Sequence, residues 1–266
     1  MVYFIAMNSL KNQGFTLIEL LTVIAIIGLL ASVVLSSLQS AKDRANEAKL
    51  LSMSAELDHF LSSSCTGKWD FDLIVSGEVS DGCGNHAGTI DGATQVSGLN
   101  GQVMSFDGAN HDYIDLGDID LVADGAGERG LTISAMFKAT QWHTQYYDGR
   151  IIDKSTNESP TNSYFMLSTI KEDDNARLRF RLRTNGVSSE LIASSGDLSL
   201  NKWYFVVARY DGITMKLFLD GVEVGSMAKT GTVSSNDSPV YIGNNNVENR
   251  SWYGLIDNVR IYEEAI

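Results

Sequence analysis

Residues 14–38, GFTLIELLTVIAIIGLLASVVLSSL, form one apolar run broken by a single carboxylate, Glu19. As a helix, about 24 residues reach roughly 36 Å, more than a hydrocarbon core of about 30 Å. The pattern then turns polar without a break. Residues 39–61, QSAKDRANEAKLLSMSAELDHFL, are rich in Ala, Lys, Glu and Leu and hold no Pro or Gly, which is the composition of a continuing helix. Two stripes follow it at helical spacing: a small-residue one of Leu38, Ala41, Ala45, Ala48 and Ala55, and a bulky one of Leu50, Met53, Leu57 and Phe60. The spacing predicts one helix of about 47 residues, roughly 70 Å long. Its small stripe suits close helix packing and its bulky stripe suits carriage of a globular part.

After SSSCTGKW the chain changes period. Leu131, Ile133, Ala135 and Phe137 alternate with Thr132, Ser134 and Met136, and Arg177, Arg179, Arg181 and Arg183 alternate with Leu178, Phe180 and Leu182. Met215, Leu217 and Leu219 lead into Asp220-Gly221, a hairpin signal. Short period-two segments between turn residues predict antiparallel sheets with one wet face, in a β-sandwich or barrel. The fold class is therefore α+β: a long transmembrane and amphipathic N-terminal helix followed by an antiparallel β-sandwich.

Glu19 sharpens the membrane reading, because an acidic side chain inside an apolar helix calls for a cationic partner. A secretory signal would have a shorter apolar core and a small-x-small cleavage site, and a plain anchor leaves Glu19 unexplained. The string Gly14-Phe15-Thr16-Leu17-Ile18-Glu19-Leu20 resembles the processing site of type IV prepilins and pseudopilins. The resemblance implies cleavage between Gly14 and Phe15 by a prepilin peptidase, N-methylation of Phe15, and pairing of Glu19 with the terminal ammonium of a neighbouring subunit during assembly. A carboxylate one turn from a free helix N-terminus also lies where the helix dipole favours it. Two features depart from the usual pattern. Residues 1–6, MVYFIA, are apolar where leaders are usually polar, so Met7 is a candidate start that leaves MNSLKNQG, with Lys11 as its charge. Ser36 stands where many pilins carry proline.

The blocks WDFD from Trp69, GLNGQVMSFDGANHDYIDLG, NKWYFVVARYDGITMKLFLDGVEVG, SPVYIGNN and YGLIDNVRIYEEAI occur in an order similar to that of laminin-G-like, concanavalin A-like domains. This second resemblance covers residues 69–266 and implies a jelly-roll sandwich whose closing strand, through Leu255, Ile256, Val259 and Ile261, lies against the strand of Phe106. A small sheet packed on its own helix, the usual pilin headgroup, is not expected. The resemblance also implies a structural calcium ion held by Asp107 and Asp257, with backbone carbonyls completing its six to eight oxygens. The alternative for these two is a turn residue and a cap for loop amides.

For a glycan ligand the useful groups are aromatic faces with polar neighbours. Trp142, His143, Tyr146 and Tyr147 in one loop and Arg250, Trp252 and Tyr253 in another are the candidates, set against the reading that such rings cover the domain's own core. Trp69 and Trp203 read as core. The arginine row would make a positive strip for acidic glycans, but cross-strand pairing with Asp and Glu is the more usual arrangement. No Glu-x-Asp-x-Glu string supports glycan hydrolysis, and the four histidines are scattered, so a non-enzymatic role is expected. Cys65 and Cys83 are the only cysteines, and in an exported protein an even pair reads as a disulfide. The net charge of -13 disfavours nucleic acid as a partner.

The expected organisation is a leader at 1–14, a transmembrane and polymerisation helix at 15–38, an amphipathic extension and linker at 39–64, and a laminin-G-like sandwich at 65–266. The expected function is that of a pilin-like structural subunit, membrane-anchored as a precursor and then exposed on a cell-surface filament for adhesion. Its partners would be other subunits, the prepilin peptidase and methyltransferase, the inner-membrane assembly machinery, and a glycan or surface protein. The alternatives are a pseudopilin of a type II secretion or DNA-uptake machine, with a non-catalytic head, and a minor pilin.

Overall fold

The computed structural model describes residues 14–108, 111–121, 130–142, 148–156, 162–172, 175–245 and 250–265. Helix α1 runs Leu17–Leu61 and passes through a single 3-10 turn, Ser62–Ser64, into the first strand. The strands are β1 (Cys65–Trp69), β2 (Ile74–Val75), β3 (Glu78–Val79), β4 (Gly88–Asp91), β5 (Thr94–Ser97), β6 (Gln102–Phe106), β7 (Tyr113–Asp118), β8 (Leu131–Ala139) and β9 (Asp148–Ser155). They continue as β10 (Ser163–Glu172), β11 (Asn175–Thr184), β12 (Val187–Ile192), β13 (Tyr204–Tyr210), β14 (Thr214–Leu219), β15 (Val222–Ala228), β16 (Pro239–Ile242) and β17 (Gly254–Tyr262).

The chain divides into two compact units between Asn46 and Glu47. In the first, α1 leaves Leu20, Ile24, Ile27, Leu30 and Val34 exposed, and by length and composition it can cross a membrane. Thr22, Ser32 and Ser37 donate their hydroxyls to the carbonyls of Glu19, Leu29 and Val34, at 2.9, 2.7 and 2.9 Å, so these three donors are satisfied within the helix.

The second unit is a sandwich of two antiparallel sheets. One has the order β15-β14-β13-β8-β17-β6-β5, with β1 also paired to β17; the other has the order β12-β11-β10-β9-β16-β7-β4-β3-β2. Their inner faces enclose a single large core that includes Trp69, Phe106, Ile133, Phe137, Leu167, Phe180, Val206, Leu217 and Ile256. As expected, β17 pairs with β6, Gly254 opposite Phe106. Asp220-Gly221 turns the β14–β15 hairpin with both φ values positive, 51° and 82°, as a type I′ turn demands.

The sheet containing β8 does not have the wet outer face that alternation predicts. Leu50, Ser54, Leu57 and Leu61 of α1 are buried, at the i, i+4, i+7, i+11 spacing of one helix face. The three leucines form a second apolar cluster with Val103, Met136, Trp203, Phe205, Val207 and Tyr262 on that outer face. The last four turns of the helix are thus part of the head, which begins at Glu47, and the sandwich does have a sheet packed on its own helix. Phe60, expected in the bulky stripe, stays 65% exposed at the edge of this contact.

A polar clasp fixes this docking. Asp58 accepts from Lys68 Nζ at 2.6 Å and from the Tyr262 hydroxyl at 2.9 Å, with Arg260 Nε at 3.5 Å. Burial pushes the Asp58 carboxyl up, but these partners outweigh it and hold it below the usual range. Cys65 and Cys83 are disulfide-bonded, with Cα atoms 6.1 Å apart. The loop between them is organised by Asp81, whose carboxylate accepts the amides of Lys68, Cys83 and His86 at 2.8, 2.8 and 2.9 Å.

Candidate functional site

The start of α1 is a capping box, a feature not anticipated from the sequence although its signature, Thr-x-x-Glu, is present. Thr16 donates both its amide and its hydroxyl to Glu19 Oε2, at 2.8 and 2.7 Å, and the Glu19 amide donates back to Thr16 Oγ1 at 3.2 Å. Two otherwise orphaned donors are satisfied reciprocally. The Glu19 carboxylate is thereby folded back to within one residue of Phe15, where a new N-terminus would arise. Gly14 and Phe15 are exposed, and a Cβ at Gly14 would meet nothing.

On the outer face of the second sheet the arginine row is paired. Arg177 meets Asp197 at 2.5 Å, Arg179 pairs with Asp148 and lies 3.6 Å from Glu190, and Arg181 pairs with Glu190. Arg183 stacks on the Tyr164 ring, 4.9 Å from its centroid, and donates to Asn162 Oδ1 at 3.1 Å. Asp148 is the hub of the network. It also takes Arg150 and Arg250, each at 3.2 Å. Burial pushes its carboxyl up, yet the charges of Arg150, Arg179 and Arg250 hold it down. Asp153, 3.5 Å from Arg150, goes the other way, because its complete burial outweighs that one cation.

The glycan candidates separate. Trp252 is 1% exposed and meets Phe137 edge-on, with centroids 5.4 Å apart. It is a core residue and offers no face to a ligand. The reason is non-local: Gly149, where a Cβ would come within 3.1 Å of the indole, leaves room for the ring to turn inward. Arg250 is committed to the Asp148 network. Trp142 is half-buried against the main core, and Tyr253 is half-buried with its ring over Gly108, within 2.4 Å of a notional Cβ. His143, Tyr146 and Tyr147 lie outside the described residues. Trp69 is core, as expected, and its indole N–H donates to the His86 carbonyl at 2.7 Å.

Asp107 and Asp257 do not converge. Asp107 is exposed, and its amide donates to Asp112 Oδ2 at 2.8 Å. Burial, with the nearby Asp107 and Asp91 carboxylates adding to it, pushes the Asp112 carboxyl up. Asp257 is buried and accepts the backbone amide and side-chain amide of Asn258 at 2.7 and 2.8 Å. These bonds cap a β-bulge in which Asn258 has φ 50°. Burial pushes the Asp257 carboxyl up to about 7. With Gly254 opposite Phe106, Asp107 and Asp257 are offset by about 13 Å along the strands. Among the described residues no group of three or more His, Cys, Asp or Glu is arranged to hold a metal. The two residues therefore do not fit one calcium ion, and Asp257 caps backbone as the alternative reading had it.

Comparison with known proteins places these observations. The prokaryotic N-terminal methylation motif matches residues 9–35, which include the capping box and the first part of α1. No curated protein sequence matches the chain. Among solved structures, domain 4 of AbnA, an extracellular arabinanase from Geobacillus stearothermophilus in complex with arabinotriose, is 20% identical with a TM-score of 0.56, over 76% of this chain and 94% of that one. The binding domain of Paraclostridial Mosquitocidal Protein 1 is 15% identical with a TM-score of 0.57, over 77% of this chain and 50% of that one. The receptor-binding domain of botulinum neurotoxin type G is 14% identical with a TM-score of 0.53, over 76% of this chain and 48% of that one. At these identities the likeness is one of fold. The concanavalin A-like lectin/glucanases superfamily matches residues 107–266, more than half of the chain; joined to a prokaryotic methylation motif and an apolar helix, the chain belongs to that superfamily.

Proposed function

We propose that this chain is a type IV pilin-like subunit, anchored by α1 as a precursor, cut between Gly14 and Phe15, and assembled into a surface filament that displays the sandwich as an adhesive head. The observation that carries the reading is the start of α1. A capping box that holds Glu19 beside Phe15 opens an apolar helix, inside a matched methylation motif. A neighbour's terminal ammonium brought to Glu19 in place of Thr16 would neutralise the carboxylate away from water, making transfer from lipid to a helical bundle selective for one register.

For the head, a binding role is favoured over catalysis. The buried carboxyls beside the arginine row, Asp148 and Asp153, are engaged by arginines, so neither is free to protonate a leaving group or attack a sugar. The arabinanase domain with arabinotriose supports a carbohydrate as the ligand class to test first.

The test is immunolabelling of cells and of their sheared surface fraction with antibody to the head. Filaments decorated along their length are expected. Label confined to the membrane fraction would contradict the reading.

A further inference from the structure

The head carries an apolar groove of about 310 Å³ beside the last turns of α1, lined by Met53, Leu57 and Phe60 from the helix and by Phe205, Val207 and Phe218 from the outer face of the first sheet. Two charged residues, Glu56 and Arg209, edge it. Arg209 is paired with Asp211 at 3.0 Å, whereas Glu56 makes no ion pair among the described residues. The groove therefore asks for an apolar insert that brings a cation.

The same chain holds such a surface. Leu38, Ala41, Ala45 and Ala48 are all exposed and form the small-residue stripe that lets a helix backbone approach another surface closely. At 100° per residue, Lys42 and Arg44 flank this stripe on its two sides, and neither makes an ion pair among the described residues. We propose that the groove takes the 38–48 segment of a second copy of this chain, with Leu38, Ala41 and Ala45 packed on Met53, Leu57 and Phe60 and a flanking cation brought to Glu56. An amphipathic helix laid in an apolar groove is a recurring mode of recognition. Groove and stripe are unlike surfaces, and each copy offers both. Such a heterologous contact does not close in pairs but propagates, as a filament requires. The proposal rests on the assembly reading above.

The test uses the full chain in cells that make its filaments. Met53→Cys and Ala45→Cys are introduced in separate copies and produced together; with Cys65 and Cys83 bonded to each other, only the new thiols are free. Oxidation is expected to give a two-chain species in the sheared fraction only when both variants are present. Glu56→Lys is expected to cut filament yield at least tenfold, and Lys42→Glu with Arg44→Glu in the same chain to restore it. Filaments at full yield from Glu56→Lys with no mixed cross-link would overturn the proposal while leaving assembly intact. Cross-links of Met53→Cys only to itself, or to a protein other than this chain, would also overturn it. Absence of filaments from the unaltered chain would remove the assembly reading and the proposal together.

Discussion

Glu19 has two partners to choose between, and the choice is testable at one residue. Gln at this position still accepts from Thr16, since a capping box works with either side chain, but it carries no charge for a neighbour's ammonium. Glu19→Gln should therefore leave cleavage after Gly14 at the unaltered extent and reduce filament yield at least tenfold, read by N-terminal sequencing and by the sheared fraction. Asp257 gives a prediction in pH. Its folded carboxyl, pushed up to about 7 by burial, keeps a proton that the unfolded chain gives up near pH 4. Its contribution to stability is then fully present below about pH 4 and is lost as pH rises through about 7. Thermal melts of Asp257→Asn against the unaltered protein should show the variant gaining relative stability over that window; a difference independent of pH would contradict the assignment. The methylation motif was legible in Gly14, Phe15 and Glu19 because its signal is local. Trp252 was not, because its burial is decided by Gly149 and Phe137 from other strands.

The helix docked on the sheet is the element whose role changed most between sequence and structure. Alternation in β8 suggested a wet face, yet Met136 meets the helix cluster. The available signal was the unbroken apolar run Phe205-Val206-Val207-Ala208 in β13, the mark of a strand covered on both sides. Val206 and Ala208 face the sandwich core, and Phe205 and Val207 face Leu50, Leu57 and Leu61. Deleting the helix would return that outer face to water, at about 25 cal/mol per Å² of apolar surface exposed. A head fragment beginning at Glu47 should therefore melt as one cooperative unit, while one beginning at Cys65 should melt lower and aggregate. Equal melting temperatures in calorimetry would show that the helix is a passenger.

At the scale of the whole molecule, the chain carries a net charge of -13, and the arginine row that looked like a positive strip is spent on Asp148, Glu190 and Asp197. Any ligand is thus expected to be neutral. A glycan array probed with the Glu47–Ile266 head should select neutral oligosaccharides, with sulfated or sialylated ones no better than background; selective capture of anionic glycans would contradict this. The order of the blocks made the sandwich readable, while the separation of Asp107 and Asp257 was not, because it is set by the register of β6 and β17, with Gly254 opposite Phe106. The central claim remains the processed, assembling helix. Its most direct test is mass spectrometry of the N-terminal peptide from chain recovered in the sheared surface fraction. A peptide that begins at Phe15 and carries one N-methyl group is expected, and a peptide that retains Gly14 and the residues before it would contradict processing of this helix.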